Sequence, residues 1–200
     1  MADYTAALKI NPVLYEALSN RGEAYRSQGN YRQAFADYNA AIEINPTRYE
    51  ALNNRGEAYR LQRNYSQAIA DYNAALEIKP DSYEVLNNRG LAYYGQRNYD
   101  RALSDYFAAL RIKPDFDLVL YNRGILYLQN DEWDRAITDF NAYLRINPDD
   151  YEVLGYRGFA YSAKGDYDRA IKDWEAVLRL NPSDVNARNN LEAVRNIRGY

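Results

Sequence analysis

Charged side chains recur in this sequence at a spacing that suits two kinds of chemistry, ion pairing and acid–base catalysis. Because an arginine and an aspartate recur together at regular intervals, they indicate a structural ion pair between two neighbouring elements. A row of guanidinium groups facing a ligand is the functional alternative. Regular repetition also argues against a catalytic pair of carboxylates, since catalysis needs one convergent pocket. The pairs, each separated by 16 residues, are Arg21 and Asp37, Arg55 and Asp71, Arg89 and Asp105, Arg123 and Asp139, and Arg157 and Asp173.

The composition removes several classes of enzyme and of partner. The chain has 200 residues with no Cys and no His, which excludes thiol nucleophiles, Ser-His-Asp relays and zinc sites built from these residues. With 25 Lys and Arg against 28 Asp and Glu, the chain has no basic field that would attract nucleic acid or anionic lipid. We therefore expect no enzyme activity, no catalytic residue, no metal, no cofactor and no nucleic-acid partner.

The hydropathy of the chain indicates a soluble protein that does not insert into a membrane. No run of about 18 uncharged apolar residues is present. The first residues, MADYTAALKINP, lack the basic-then-apolar layout of a signal peptide. The sequence does not indicate a compartment.

Prolines mark the elements that must position the charged pairs. They are Pro12, Pro46, Pro80, Pro114, Pro148 and Pro182, so every interval is 34 residues. A fixed period of this size is typical of a repeat array, in which each unit stacks on its neighbours. The chain is predicted to be a single domain, 1–200, with a half repeat at 1–14 and a capping helix with its tail at 185–200. The five full units are 15–48, 49–82, 83–116, 117–150 and 151–184.

Each unit is predicted to contain two amphipathic helices, the second stopped by the proline. The first helix carries a glycine in every full unit, and glycine inside a helix costs about 1 kcal/mol relative to alanine. This row therefore predicts a close crossing of the paired helices, with Tyr25 and Tyr38 filling the volume on either side in the first unit. The glycines are Gly22, Gly56, Gly90, Gly124 and Gly158.

The ends of the first helices also carry local signals. Capping boxes are predicted at their starts, formed by Thr47 with Glu50, Asp81 with Glu84, and Asp149 with Glu152. At their ends, Gly29 and Gly165 are predicted to take the left-handed conformation that closes a helix.

The repeated residues resemble the tetratricopeptide repeat (TPR) family over nearly the whole chain. Tyr143 and Val177 depart from the pattern by replacing its second small residue. The resemblance implies an all-α fold, a right-handed superhelix of stacked antiparallel helix pairs whose first helices line a concave groove. It also implies that the groove binds an extended peptide or a helix of a partner protein, and that the chain is an adaptor or scaffold without enzymatic activity. The matching residues of the first unit are Leu18, Gly22, Tyr25, Ala34, Tyr38, Ala41 and Pro46.

The inner face of the first helices is predicted to be polar in the first two units and apolar in the next three. Stacking of neighbours does not need an exposed apolar face, so this face indicates a partner site. The alternative is that these side chains pack on one another and close the superhelix. Asn54, Asn88 and Asn122 are expected to hydrogen-bond the backbone of the partner. The candidate groove residues are Asn54, Asn88, Leu91, Tyr94, Leu118, Tyr121, Asn122, Ile125, Leu128, Tyr156 and Phe159.

One TPR subgroup, the co-chaperones, grips a C-terminal carboxylate with a clamp of Lys, Asn and Arg, and this sequence departs from that clamp. The positions of the clamp lysine hold Ser19, Asn53, Asn87, Tyr121 and Gly155. Glutamates stand at another position where the clamp needs a cation, namely Glu16, Glu50, Glu84 and Glu152. Acidic side chains there would repel a terminal carboxylate. An adaptor for chaperone tails is therefore disfavoured.

The two ends of the chain look like half repeats. Residues 2–10 are predicted to form a second helix without its first, and 184–198 a first helix without its second. Copies joined head to tail would nearly rebuild a unit, so a self-assembling scaffold is the alternative function. Against it, Glu192 stands at the position of Gly22, and Arg188 and Arg195 replace residues of the Leu18 and Tyr25 type. These substitutions favour a solvated cap at the C-terminal end.

Overall fold

The computed structural model describes residues 2–198, with side chains up to Ile197, as twelve α-helices and no strand. The repeats group into two larger compact units, called the first unit (Met1–Ile112) and the second unit (Lys113–Tyr200) from here on. The first unit contains α1 (Ala2–Ile10), α2 (Tyr15–Ser27), α3 (Tyr31–Ile44), α4 (Tyr49–Leu61), α5 (Tyr65–Ile78), α6 (Tyr83–Gly95) and α7 (Tyr99–Ile112). The second unit contains α8 (Asp117–Gln129), α9 (Trp133–Ile146), α10 (Tyr151–Ala163), α11 (Tyr167–Leu180) and α12 (Val185–Arg198).

Within each unit, every helix packs against the helix that follows it in the chain. The predicted all-α class of stacked helix pairs is confirmed. A proline follows the second helix of each pair, as Pro46 follows α3, because proline has no N–H for the helical ladder. Helices also form where the half repeats were predicted, as α1 and α12.

An aromatic ring of the second helix lies directly over each repeated glycine of the first. A methyl group built on Gly22 would lie 2.7 Å from Cε1 of Tyr38, and one built on Gly124 would lie 2.6 Å from Cε1 of Phe140. Tyr38 and Phe140 are fully buried. The glycine therefore makes room for this ring, and Tyr38 covers Gly22 itself rather than filling the volume on one side of it.

The predicted ion pair between the two helices of a repeat is confirmed in all five full repeats. Arg21, for example, donates from Nε and Nη2 to the two carboxylate oxygens of Asp37, each at 2.7 Å. The aspartates are buried, so the two hydrogen bonds offset the free energy of removing the carboxylate from water. The pairs position the helices, and the alternative of guanidinium groups facing a ligand finds no support in this geometry.

The predicted capping boxes are wrong by one residue. The helix-capping backbone is found at Ser82 and Asp150, whose φ and ψ are extended, so the helices begin at Tyr83 and Tyr151. Oδ1 of Asp150 accepts hydrogen bonds from the N–H groups of Glu152 and Val153. Glu84 and Glu152 thus occupy the second helical position, too early for the reciprocal bond of a capping box.

The left-handed turn after the first helix is confirmed at Gly29 and Gly165, with φ of 73° and 78°. The intervening repeats place Arg63, Arg97 and Asp131 at the same position, each with φ of 59°. The turn is therefore kept where glycine is missing, at some cost in backbone strain.

Candidate functional site

Seven of the predicted groove residues belong to the second unit, on the first helices α8 and α10, which contact each other. Leu118 at the start of α8 is 55% exposed and Phe159 of α10 is 49% exposed. The other five are half-buried, namely Tyr121, Asn122, Ile125, Leu128 and Tyr156. All seven residues keep part of their surface open, and none is wholly covered by the chain.

A cavity of about 520 Å³ opens beside these residues, between α10, α11 and α12. We refer to it as the α10–α12 cavity. Leu128, Tyr156 and Phe159 are the predicted residues that reach it. Trp174, which is 2% exposed, and Val177 come from the core of α11 and line it from within. The remaining lining residues are Tyr151, Glu152, Gly155, Asp184, Asn186, Ala187 and Asn190.

Gly155 leaves this cavity open. Its position in α10 corresponds to Ser19, Asn53, Asn87 and Tyr121 of the other first helices, all of which carry a side chain. A methyl group built on Gly155 would meet only Cγ2 of Val177, at 4.0 Å. The ring of Trp174 occupies the space beside Gly158, one turn later. The space beside Gly155 is not occupied by a ring and stays accessible.

Aromatic side chains hold the wall of the cavity in place. The ring of Tyr156 stacks on Phe140 at 6.1 Å and meets the edge of Tyr121 at 6.3 Å, centroid to centroid. Phe159 meets Trp133 edge to face at 5.9 Å. Such pairs are worth about 1 kcal/mol beyond the area they bury, so they stabilise the wall in this arrangement.

Hydrogen bonds to carboxylates orient two tyrosines at this site. Tyr156 donates to Oε1 of Glu152 at 3.0 Å, and Tyr143 donates to Oδ2 of Asp150 at 2.7 Å. Burial raises the pKa of both hydroxyls, and the neighbouring carboxylates raise it further. Both tyrosines therefore stay protonated donors at neutral pH.

A second, acidic cleft of about 530 Å³ shares Tyr151 and Glu152 with the α10–α12 cavity. Asn147, Asp149 and Asp150 also line it. We refer to it as the acidic cleft. At Tyr151 the apolar α10–α12 cavity therefore borders the acidic cleft.

The predicted residues of the first unit lie on α4 and α6 and are half-buried. Asn88 donates to Oδ1 of Asn53 at 3.0 Å. This amide therefore already makes a hydrogen bond between neighbouring first helices. Tyr94 packs against Tyr99 at 5.7 Å. Asn54 and Leu91 keep partly exposed side chains on the same helices.

The charged side chains predicted for the inner face of α2 and α4 pair with one another. Arg26 donates to Glu23 and Arg60 donates to Glu57 within their own helices. Tyr38 in turn donates to Glu23 at 3.2 Å. These glutamates and arginines of α2 and α4 therefore satisfy one another, whereas α8 and α10 present apolar side chains.

Sequence reasoning missed Gly155 and the residues that surround it. In the sequence Gly155 marks the absence of the lysine of a carboxylate clamp, but a glycine that interrupts a row of larger residues also indicates open space. In the repeat pattern Val177 is only a departure from the second small residue, and Asn186 and Asn190 belong to a helix predicted to be a cap. No pattern in the sequence links these positions, because α12 brings its residues to α10 only in the fold.

Models of the family described as tetratricopeptide repeat match residues 15–48, 49–82, 87–151 and 124–196. No curated protein shows significant sequence similarity to the chain.

Several solved structures share the fold. YrrB, a TPR protein described as having an unusual peptide-binding site, is 18% identical with a TM-score of 0.73, over 93% of this chain and 96% of its own. The pilF protein of Pseudomonas aeruginosa is 21% identical with a TM-score of 0.81, over 92% and 84%. A tetratricopeptide repeat protein from Parabacteroides merdae is 25% identical with a TM-score of 0.71, over 98% and 77%.

The family and the fold support a general role as a scaffold for protein–protein interaction, and both are typically non-catalytic. Among residues 2–198, no helix combines the length and the apolar character that crossing a bilayer requires.

Proposed function

Because the chain belongs to the tetratricopeptide repeat family, we propose that it is an adaptor that binds a segment of another protein in the α10–α12 cavity. The observation that carries this proposal is the open space at Gly155, floored by Trp174 and Val177. The occupant is a bulky apolar side chain of the partner, since the space is bounded mainly by aromatic and aliphatic groups.

The energetics favour a single anchoring side chain. Full burial of a Leu or Phe side chain contributes about 1.5–3 kcal/mol, and a pocket that is already formed adds little ordering cost. Interfaces concentrate their binding energy in such desolvated anchors. The cavity is large enough for one such side chain, and Ile125, Leu128 and Phe159 extend the apolar surface around it.

The alternative interpretation was that the apolar side chains pack on one another and close the groove. Phe159 and Tyr151 remain about half exposed, at 49% and 45%, and the cavity beside them is unfilled. These exposures support binding rather than closure. The residues Asn54, Asn88, Leu91 and Tyr94 of the first unit remain predicted contact residues of the same adaptor.

The proposed partner segment is not a chaperone tail held by its terminal carboxylate. Among the positions of the clamp lysine, Ser19 and Asn87 are buried, and Asn53 accepts a hydrogen bond from Asn88. Tyr121 and Gly155 contribute an aromatic ring and an open space. None of these side chains offers a cation to a carboxylate.

Head-to-tail self-association, the second candidate, has less support from the packing. Each intact repeat places an aromatic ring on a glycine and pairs an arginine with an aspartate. A repeat built from α12 of one copy and α1 of the next would have Glu192 in place of the glycine, facing Tyr4 at the position of Tyr38. Leu191 would stand in place of the arginine that pairs with the aspartate, here Asp3. Both contacts that hold a repeat together would be missing. Sedimentation that stays monomeric at rising concentration would remove this candidate.

The proposal is tested with peptides selected from a displayed library of random sequences on the full chain. Binding of the selected peptides is then measured for Gly155→Leu, which fills the cavity, and for the triple change of Ile125, Leu128 and Phe159 to Ser. Phe107→Ser is the matched control, because Phe107 is another half-exposed phenylalanine, on α7.

We expect Gly155→Leu and the triple variant to lose at least about tenfold in affinity, while Phe107→Ser binds like the wild type. Circular dichroism of each variant separates loss of binding from loss of fold. Selected peptides that bind equally well after Gly155→Leu would overturn the proposal.

A further inference from the structure

Tyr151, at the junction of the α10–α12 cavity and the acidic cleft, has three equivalents in the first unit, Tyr15, Tyr49 and Tyr83, and a basic side chain lies over the ring of the first two. Tyr15 lies four repeats earlier and Tyr49 three repeats earlier. The guanidinium of Arg48 lies 5.0 Å from the ring centroid of Tyr15, and the ammonium of Lys79 lies 4.8 Å from that of Tyr49.

Arg48 also forms a salt bridge with Glu16, the residue after Tyr15, at 3.1 Å. A tyrosine ring and the following glutamate thus hold one basic side chain together, the ring through its negative face and the carboxylate through its charge. Tyr15 is only 8% exposed in this arrangement.

The second unit keeps the tyrosine and the glutamate but replaces the basic residue. Tyr151 and Glu152 correspond to Tyr15 and Glu16, whereas Asp184 stands at the position of Arg48 and Asn181 at that of Lys79. Tyr151 is accordingly 45% exposed. At the two positions that serve Tyr15 and Tyr49, the chain therefore offers Tyr151 no basic side chain.

The charge around Tyr151 is also unbalanced. Among the described residues, no Lys or Arg forms a salt bridge with Asp149, Asp150, Glu152 or Asp184. Elsewhere in the same unit, exposed carboxylates do have such partners, as Asp134 has Lys164. A concentration of uncompensated negative charge beside an apolar cavity attracts a cationic partner.

Three of these carboxylates already accept hydrogen bonds, and Oε1 of Glu152 does so from the hydroxyl of Tyr156. Asp150 caps α10 and accepts from Tyr143, and Oδ1 of Asp184 accepts from the N–H of Ala187 at 2.8 Å. Asp149 and Glu152 are exposed. They are the carboxylates that can meet a charge from outside.

We infer that the partner segment carries a Lys or Arg close in sequence to its apolar anchor, and that this basic side chain lies on Tyr151 and Glu152 as Arg48 lies on Tyr15 and Glu16. The inference rests on the proposed function, since the anchor brings the segment to the cavity. The anchor provides affinity through burial, and the basic residue selects among apolar segments by charge.

The test uses the peptides selected on the full chain, together with versions in which each Lys or Arg is replaced by Gln. We expect Lys or Arg to be enriched within a few positions of the apolar anchor. Replacement of that residue by Gln, or Glu152→Gln in the protein, should weaken binding about tenfold, and added salt should reduce the difference.

Asp184→Arg provides the sharpest variant, because it restores the residue type that serves Tyr15. The new arginine should occupy Tyr151 and Glu152 and weaken binding of the basic peptides about tenfold. Asp184→Asn is the matched control, because asparagine still caps α12 but brings no charge that competes for Tyr151, and it should bind these peptides much more tightly than Asp184→Arg.

The outcomes separate this inference from the proposed function. If the selected peptides lose binding with Gly155→Leu but show no enrichment of Lys or Arg and no response to Glu152→Gln, the cavity binds its anchor and the inference is wrong. If binding is insensitive to Gly155→Leu as well, the proposed function and the inference both fail.

Discussion

Arg55 and Asp71 join the two helices of their repeat through a fork of two parallel hydrogen bonds. Nε donates to Oδ2 at 2.8 Å and Nη2 donates to Oδ1 at 2.6 Å. Nη1 of the same guanidinium donates to Asn39 of the preceding repeat at 2.7 Å. One side chain thus links three helices, α3, α4 and α5, and the arrangement recurs at Arg89 with Asp105 and Asn73.

Breaking this pair should destabilise the fold strongly. Asp71 is only 6% exposed, so Asp71→Ala leaves a partly buried guanidinium without its partner and should lower the free energy of unfolding by about 3 kcal/mol. Urea unfolding followed by circular dichroism measures the change. Glu16→Ala, which breaks the exposed pair with Arg48, is the control and should lower it by at most about 1 kcal/mol. Equal losses from the two changes would contradict the structural role of the buried pair.

Two glycines of α10 should respond to alanine in opposite directions. A methyl group on Gly158 would lie 2.8 Å from Nε1 of Trp174, whereas one on Gly155 would lie 4.0 Å from its nearest neighbour. Gly158→Ala should therefore destabilise by about 2 kcal/mol, and Gly155→Ala should stabilise by about 1 kcal/mol through helix propensity. Thermal unfolding of the two variants measures both effects. Destabilisation by Gly155→Ala would mean that the space at Gly155 is not open.

Buried tyrosines should make the fold sensitive to alkali. Burial raises the pKa of Tyr38, Tyr72 and Tyr106 above the ordinary value of 10.0. Above that value the unfolded chain loses these protons while the folded chain keeps them, so stability falls as the pH rises from about 10 toward the folded pKa. Each such group contributes a slope of up to about 1.4 kcal/mol per pH unit.

The tyrosinate absorbance should accordingly rise in two phases, the second coinciding with loss of helical circular dichroism. Tyr38→Phe should reduce both the amplitude of the second phase and the slope of stability against pH. A single phase completed before any helix is lost would contradict this prediction.

Glu23 should contribute stability at neutral pH that disappears in acid. Hydrogen bonds from Arg26 hold the pKa of this carboxyl below its usual value of 4.5. The folded state therefore binds fewer protons than the unfolded state near this value, and the stabilisation is lost as the pH falls through 4.5 to the folded pKa. Glu23→Gln should be less stable than the wild type at pH 7, with a smaller difference at pH 3.

Urea unfolding at the two pH values measures this difference. Glu43→Gln, which changes an exposed glutamate of α3, is the control for net charge. A difference between Glu23→Gln and the wild type that stays constant with pH would contradict the prediction.

The period of the prolines, the glycine row and the recurring Arg–Asp pair were sufficient to predict helix pairs, their approximate limits and the ion pair between them. These features are local or recur in each repeat, so the sequence shows the same physical requirement several times. The capping residues were displaced by one position, because a cap depends on the backbone conformation of a single residue, and Asp81 and Ser82 are both acceptable caps by type.

The apolar character of Leu118, Ile125, Leu128 and Phe159 could be read from their helical positions, but the cavity beside them could not. Its walls come from α10, α11 and α12, and its volume depends on a side chain that Gly155 lacks and on the ring of Trp174 below it. Likewise, the repeat period shows that Asp184 and Arg48 occupy equivalent positions, but only the packing shows that Arg48 lies over a tyrosine ring. A periodic sequence specifies what neighbouring repeats share, because each repeat satisfies the same contacts. Where one repeat departs from the rest, the result depends on distances between side chains that are far apart in the chain, and only the tertiary structure supplies them.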